Sequence, residues 1–380
     1  MPEFELHFSP LSTEENATFK LLELPLELVS LVESSLEKSE TIDLTDPQSL
    51  VIKGDPTEDA VLCTRNKTYS IRAVNLSNTL LVALDFADDA VVIRDQVNEI
   101  LELAPAVPKI SKLVALLRGR EYDETNEDDD EEDTDDSTRY TYTQARQDIQ
   151  ASDAELDQCL KQKRILIIKD ELRPISLPYL NTILELILTV LISDSLPHSA
   201  CPIEKLTSAL AGEHGVSPTV SRQILKWLGS ISSDRAKWKM DVVEVVKELG
   251  LGILREYPRS APEPVGKEAF LDRWKERVGD TFVEKVELKL LAGNFLETNS
   301  GIRQLESLTY FPASALPTDP AARFSDLFLT RTKWKVDDMT PFLSDIAVNN
   351  KERDKLLLKY CRAVNEAGVV SYTARAQYNG

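Results

Sequence analysis

Residues 121–136 of this 380-residue chain, EYDETNEDDDEEDTDD, hold twelve acids, no base and no large aliphatic side chain. Ordering one residue's backbone costs about 1–2 kcal/mol, and a stretch without apolar surface cannot offset that by burial. The run therefore predicts an acidic disordered linker over 119–138, dividing a β-rich part at 1–118 from a helical remainder at 139–380. An acidic segment of the histone-chaperone or activation kind is the alternative. The run also dominates the charge. The chain has 44 basic and 64 acidic side chains and a net charge of −20, but outside the run 44 bases face 52 acids. So acidic a chain is no bulk binder of phosphate backbones, and any nucleic-acid contact needs a local basic face. With 42% hydrophobic and 28% charged residues, collagen, disulfide scaffolds and wholly disordered chains are excluded.

Cys63, Cys159, Cys201 and Cys361 lie far apart, with no C-x-x-C and no histidine pair nearby. Reduced thiols in an intracellular compartment are expected, rather than disulfides or zinc. The start, MPEFELHFSP, has neither a basic nor an apolar signal region, so no secretory signal is expected and the triplets at Asn16, Asn66 and Asn75 are accidental. The longest apolar stretch, Ile183–Ile192, is too short for a membrane span and contains Glu185. It predicts a buried helix.

Between Gln48 and Leu84 come short β-branched runs, SLVIKGD, AVLCT, TYSIRAV and TLLVAL, separated by Gly54-Asp55-Pro56, Arg65-Asn66-Lys67 and Ser77-Asn78. Strands of about five residues with such punctuation predict an antiparallel meander or small barrel. In Thr68–Val74, Ser70 and Arg72 alternate with Tyr69, Ile71 and Ala73, which implies one buried face. The runs around Leu50, Val51 and Ile52, and around Leu80 and Leu81, do not alternate and need cover on both faces. Either another polypeptide completes this sheet, or residues 20–36 and 90–104 close a self-contained barrel. A helix over 96–118 is expected from the spacing of Val107, Ile110, Leu113, Val114 and Leu117.

Beyond Thr138 the pattern becomes short helices followed by β-like stretches, at 139–200, 201–262, 263–318 and 319–380. Ser152-Asp153-Ala154-Glu155 is a capping box opening a helix to about Lys163, and RILIIKDELRPI predicts a hairpin. After a long helix at 177–194, Ile203, Leu206 and Leu210 mark one helix, Gly212–Gly215 a turn, and Ser217-Pro218 the start of another. Lys237–Met240 predicts a short strand; the β-branched run at 242–246 leaves the next element open. Phe270, Trp274 and Val278 mark a helix, 282–292 a second one, RQLESLTYF a strand, and Gly301 a turn. The last unit has FSDLFL, a second helix at Val336–Ala347, a helix from Lys351 to Val364 and the strand GVVSYTAR. The fold class expected is α+β: a β-barrel-like domain completed by partner subunits, then tandem winged-helix domains.

Lys351, Lys355 and Lys359 lie at i, i+4 and i+8 with Arg362 following, while Leu357, Tyr360, Cys361 and Val364 face the other way. Arg331, Lys333 and Lys335 could join this stripe, and residues 321–380 hold ten basic against seven acidic side chains. The stripe is either a DNA-contacting face or a solvated one. It has no Asn or Gln placed to read adenine, so phosphate contact is the sharper expectation. Trp227, Trp238, Trp274 and Trp334 read as packing residues, with base stacking the alternative. Catalysis has little support. His198, Cys201 and His214 cluster only in sequence, and no phosphate-cradling glycine motif occurs.

SLVIKGD at 49–55, AVLCTRNKTY at 60–69, SNTLL at 77–81, RFSDLFLTRTKWKVDDMTPFL at 323–343 and LLKY at 357–360 together resemble the sister chromatid cohesion protein DCC family. The acidic insert departs from the pattern, and 140–315 match mainly in the order of elements. The resemblance implies a nuclear, non-catalytic subunit of an alternative replication factor C clamp loader, without a cofactor of its own and without membrane contact. Its implied partners are the C-terminal tail of the large CTF-type subunit, the small CTF-type subunit, the catalytic subunit of DNA polymerase epsilon, and single- and double-stranded DNA. The replication factor C small subunits and the PCNA clamp would be reached indirectly. The β-region around Leu50, Val51, Ile52, Val61, Leu62, Tyr69, Ile71, Leu80 and Leu81 would meet the loader subunits, and the winged helices would meet DNA and polymerase. Two rivals are a winged-helix scaffold of a transcription or protein-degradation complex and a hydrolase using Cys201.

Overall fold

The computed structural model describes residues 5–9, 18–38, 50–86, 90–124, 139–258, 264–300, 305–366 and 369–375. Residues 125–136, most of the acidic run, lie outside them, as does Gly301. Two units form: Met1–Ile110 with Gln144–Gln158, and Ser111–Thr143 with Cys159–Gly380.

The first unit is built on β1 (Glu5–Phe8), β2 (Leu21–Glu23), α1 (Leu26–Lys38), β3 (Val51–Lys53), β4 (Val61–Cys63), β5 (Thr68–Phe86) and β6 (Ala90–Pro105). The strand order is β1-β6-β5-β4-β3, with β2 also on β6. This is an open sheet, not the expected barrel. Its edge strands have three and four residues and cannot close against a nineteen-residue β5. TYSIRAV and TLLVAL, expected as two strands, are one. The turn-like Ser77-Asn78 falls in an irregularity between Asn75 and Leu80 and leaves the pairing with β6 intact on either side. Residues 96–105, expected as helix, belong to β6 because they pair with β5. Leu28, Leu62 and Tyr69 form a small core, with Leu24, Leu50, Ile71 and Leu103 against it.

The Ser152 capping box is present. Its hydroxyl donates to the Glu155 carboxylate at 2.7 Å and accepts from the Glu155 amide at 3.3 Å. Thr68 donates to the same carboxylate at 2.5 Å. Buried Lys53 donates to the Ala151 carbonyl at 2.7 Å, so this segment is tied into the first unit by polar contacts.

Next along the chain are α2 (Ser111–Leu116), α3 (Tyr142–Asp148), α4 (Asp153–Gln162), β7 (Ile165–Ile168) and β8 (Glu171–Pro174). Lys169 and Asp170, both at positive φ of 50° and 70°, make the two-residue turn of the predicted hairpin. Three times thereafter the chain runs helix, short strand, two helical segments and a hairpin. The first round is α5 (Leu177–Ser193), β9 (Cys201–Pro202), α6 (Ile203–His214), α7 (Pro218–Trp227), β10 (Gly229–Ile231) and β11 (Lys237–Met240). The second is α8 (Val242–Arg255), β12 (Val265–Gly266), α9 (Lys267–Val278), two 3-10 turns at Val283–Lys285 and Leu288–Leu291, then β13 (Phe295–Ser300) and β14 (Leu305–Tyr310). The third is α10 (Pro320–Thr330), β15 (Lys333–Lys335), α11 (Val336–Met339) with a 3-10 turn to Leu343, α12 (Asn350–Tyr360), β16 (Cys361–Glu366) and β17 (Val369–Ala374). In each three-stranded sheet the second hairpin strand is central.

Several local expectations change. The β-branched 242–246 is helical because the Asp241 side chain accepts from the Val243 and Glu244 amides and caps the first turn. Gly212 stays within α6, and the turn comes at Gly215, with φ 71°. The helix expected over 282–292 is two 3-10 turns, interrupted where Val286 and Glu287 take extended backbone. The last helix stops at Tyr360, not Val364, because Cys361 is extended and begins a strand paired with β17.

All four tryptophans are core. Trp238, Trp274 and Trp334 are fully buried, and their indole N–H groups donate to the carbonyls of Leu225, Val246 and Leu327 at 2.8, 2.8 and 3.0 Å. Trp227 is also buried, beneath the Arg164 guanidinium.

Candidate functional site

The residues expected to meet a partner in the β-region fall into two groups. Val61, Leu62 and Tyr69 are buried in the unit's own core, with Leu50 and Ile71 packed beside them. Tyr69 donates to Glu27 at 2.7 Å, and burial together with that carboxylate pushes its phenol well above the usual range. Val51, Ile52, Leu80 and Leu81 are exposed, Ile52 at 66% and Leu81 at 53%. Sequence reasoning missed Leu6 and Phe8 on β1, Leu22 on β2 and Val74 on β5, which are exposed too. The alternation in ELHF was the available signal for the first two.

The backbone shows the same incompleteness. β4 pairs with β5 only over Thr68–Ser70, so among the described residues the second edge of β5 carries no strand from Ile71 onward. A long apolar edge with unpaired amides and carbonyls is a template for another chain.

The basic residues of the last repeat also separate. Lys351, Lys355 and Lys359 are exposed on α12, as their spacing requires. Lys355 donates to Glu352 at 2.9 Å, and the Lys359 ammonium lies 5.0 Å from the Tyr360 ring centroid. Arg362 does not continue that stripe. It lies on β16 in a cross-strand row with Thr373 and Lys333, while Lys335 lies in a row with Ser371 and Val364. Directly paired residues project to one side of a sheet. Arg362, Lys333 and Lys335 thus share the outer face, opposite the buried Trp334 and partly buried Tyr372. Arg331, Lys333, Lys335, Asp338, Glu366 and Ser371 line a shallow cleft of about 370 Å³ there. Arg331 lies 4.9 Å over the Trp334 ring and donates to Asp338 at 3.3 Å, and Lys333 pairs with Glu366.

The Cys201 thiol donates to the Pro202 carbonyl at 3.7 Å, and burial pushes its pKa up. The His198 ring packs edge-on against Phe282. Among the described residues no hydrogen bond joins Cys201 to His198 or His214, and no cluster of three metal-binding side chains occurs. No helix there is long and apolar enough to cross a membrane.

Sequence comparison decides the family. The model of the family described as sister chromatid cohesion protein Dcc1 matches residues 19–343. The chain belongs to the Dcc1 family. It is 26% identical over 357 residues to the sister chromatid cohesion protein DCC1 of Homo sapiens, covering 90% of this chain and 87% of that one. It is 26% identical over 333 residues to a probable sister chromatid cohesion protein DCC1 of Dictyostelium discoideum, covering 83% and 86%. With the DCC1 protein of Saccharomyces cerevisiae it shares 25% identity over 126 residues, a third of the chain. The match to the Dcc1 family takes in the sheet and cleft residues Arg331, Lys333, Lys335 and Asp338, and ends before α12 and the final hairpin.

Proposed function

We propose that this chain is a non-catalytic nuclear adaptor in sister chromatid cohesion, belonging to an alternative replication factor C clamp loader. In this reading the first unit docks onto the C-terminal tail of the large CTF-type subunit and the small CTF-type subunit. The repeats act as winged helices that hold the assembly to DNA and to the catalytic subunit of DNA polymerase epsilon. ATP hydrolysis belongs to the loader's other subunits, and the PCNA clamp is reached through them.

The observation that carries the reading is the edge of β5, unpaired from Ile71 onward among the described residues, beside exposed Ile52, Leu80 and Leu81. Apolar surface returns about 25 cal/mol per Å² when covered, so a partner strand gains both main-chain pairing and burial here. Membership of a family whose named members are sister chromatid cohesion proteins supports the biological setting. The mechanism is tethering: two modest contacts on one chain raise each other's effective concentration.

The test is capture of the two loader-specific subunits by the full chain, unaltered and with Leu81→Lys and Ile52→Lys. The unaltered chain should retain both subunits and the double variant should lose them. Equal capture by the two chains would reject this surface, and no capture by either would favour a scaffold of some other complex.

A further inference from the structure

The two faces of the first unit's sheet are covered differently. Paired residues share a side and neighbours along a strand alternate, so Ile52, Leu62 and Tyr69 form one row, on the core side with Leu28 of α1. Val51, Cys63 and Thr68 form a row on the opposite side, as do Lys53, Val61 and Ser70. Lys53, Val61, Cys63 and Thr68 are nevertheless buried, Lys53 at 8% exposure.

The polar contacts on that opposite side run to one segment, 150–155, which follows the acidic run. Lys53 donates to the Ala151 carbonyl at 2.7 Å and lies 4.0 Å from the Asp153 carboxylate. The Thr68 hydroxyl donates to Glu155 at 2.5 Å and accepts from the Ser152 amide at 2.8 Å. On one side of β4 the Gln150 side-chain amide donates to the Asp59 carbonyl at 2.9 Å, and on the other the Ala154 amide donates to the Arg65 carbonyl at 3.1 Å. The segment thus grips β3, the flanks of β4 and the start of β5. The chain leaves this unit after Ile110 and re-enters it at Gln144, so the grip is made across the whole acidic run.

The strand β3 needs such a grip. It has three residues, pairs only with β4 among the described residues, and carries exposed Val51 and Ile52. So short a ladder is weak by itself, and anchoring at the strand's ends decides its position. Leu50 packs against the core at one end, and Lys53 is the anchor at the other. An apolar residue would bury there at lower cost. The ammonium instead depends on a carbonyl that is in reach only while the segment is docked.

Resting on the reading that a partner polypeptide completes this sheet, we infer that residues 144–158 are a clasp belonging to the docking surface, with Lys53 and Thr68 as the positioning residues that hold β3 and the start of β5 ready for the partner. The clasp covers a face and the partner pairs an edge. Each therefore favours binding of the other without a shared contact. The acidic run interrupts the docking unit instead of ending it.

The experiment is titrated capture of the two loader-specific subunits by the full chain, unaltered and with Thr68→Val, Thr68→Ser or Lys53→Met, with amide hydrogen exchange of the free chains alongside. Thr68→Val removes both hydroxyl bonds and should weaken capture about tenfold, while Thr68→Ser keeps the hydroxyl and should stay within about threefold of the unaltered chain. Lys53→Met should weaken capture to a similar extent as Thr68→Val, although it relieves the burial of a charge. In both weakened variants the Ala154 amide should exchange faster while the amides of α8 are unchanged. If Thr68→Val and Lys53→Met capture like the unaltered chain while Ile52→Lys with Leu81→Lys abolishes capture, the positioning role is rejected and the docking reading stands. Equal weakening by Thr68→Ser and Thr68→Val rejects it as well. If the unaltered chain captures neither subunit, the docking reading fails and the positioning role with it, and equal exchange of Ala154 in all four chains would reject the clasp too.

Discussion

Arg164 and Glu248 form a buried ion pair, the guanidinium donating to the carboxylate at 2.9 Å, in side chains 8% and 2% exposed. Glu244 takes a second donor of Arg164 at 2.8 Å, and Arg255 approaches Glu248 at 2.9 Å from the other side. The Arg164 guanidinium also covers Trp227. The network therefore joins the turn before β7 to α7 and α8, within the second unit.

Removing one member of a buried pair leaves an uncompensated charge, which typically costs about 3–5 kcal/mol. Glu248→Gln should destabilise the second unit by that order in chemical denaturation. Arg164→Met combined with Glu248→Leu should cost less than Glu248→Gln alone, because one guanidinium, that of Arg255, loses its carboxylate instead of two.

The same carboxylate sets an acid limb. Burial by itself would raise the Glu248 pKa, but Arg164 and Arg255 outweigh it and hold it below the ordinary value of 4.5. A group depressed on folding contributes stability that is present above its unfolded value and is lost as pH falls through the folded one. The unaltered chain should lose stability progressively below about pH 4.5, and Glu248→Gln should show a shallower acid limb by pH-dependent denaturation.

Gly250 lies in α8 where an added Cβ would meet the Trp274 ring within 2.5–2.9 Å. Helix propensity alone favours Gly250→Ala by about 1 kcal/mol. Overpacking costs about 1–3 kcal/mol, and the indole cannot retreat without losing its bond to Val246. A net loss of stability is expected on thermal denaturation, opposite to the sign that propensity predicts.

Ser152→Ala removes both bonds of the hydroxyl with Glu155, keeps the one from the Ser152 amide, and should cost about 1 kcal/mol. Glu155 would keep its bond from Thr68, so Ser152→Ala combined with Thr68→Val should be more damaging than either alone. A double-mutant cycle in urea measures that coupling.

What could be seen in the sequence was local. The Ser152 capping box, the Lys169-Asp170 turn and the Phe270, Trp274, Val278 face depend on neighbours within four residues and all appear in the structure. The misplaced elements depend on distant partners. Residues 96–105 and the Ser77-Asn78 break were settled by pairing between β5 and β6, and Cys361 became a strand because of β17. The basic side chains of the last repeat were recognised as a set. Their division between α12 and the sheet required the cross-strand register that joins Arg362 to Lys333 through Thr373. Ser371 carried no signal of its own, because a lone serine in GVVSYTAR gives no hint of a cleft.

The central claim is that another polypeptide completes the first unit's sheet, and amide hydrogen exchange of the full chain tests it most directly. Exchange would be followed with and without the two loader-specific subunits. The amides of Ile71–Ala83 that point away from β6, and those of Val51–Lys53 that point away from β4, should exchange fast in the free chain and become strongly protected in the complex. Protection in these strands that is already complete in the free chain, or unchanged in the complex, would contradict the claim.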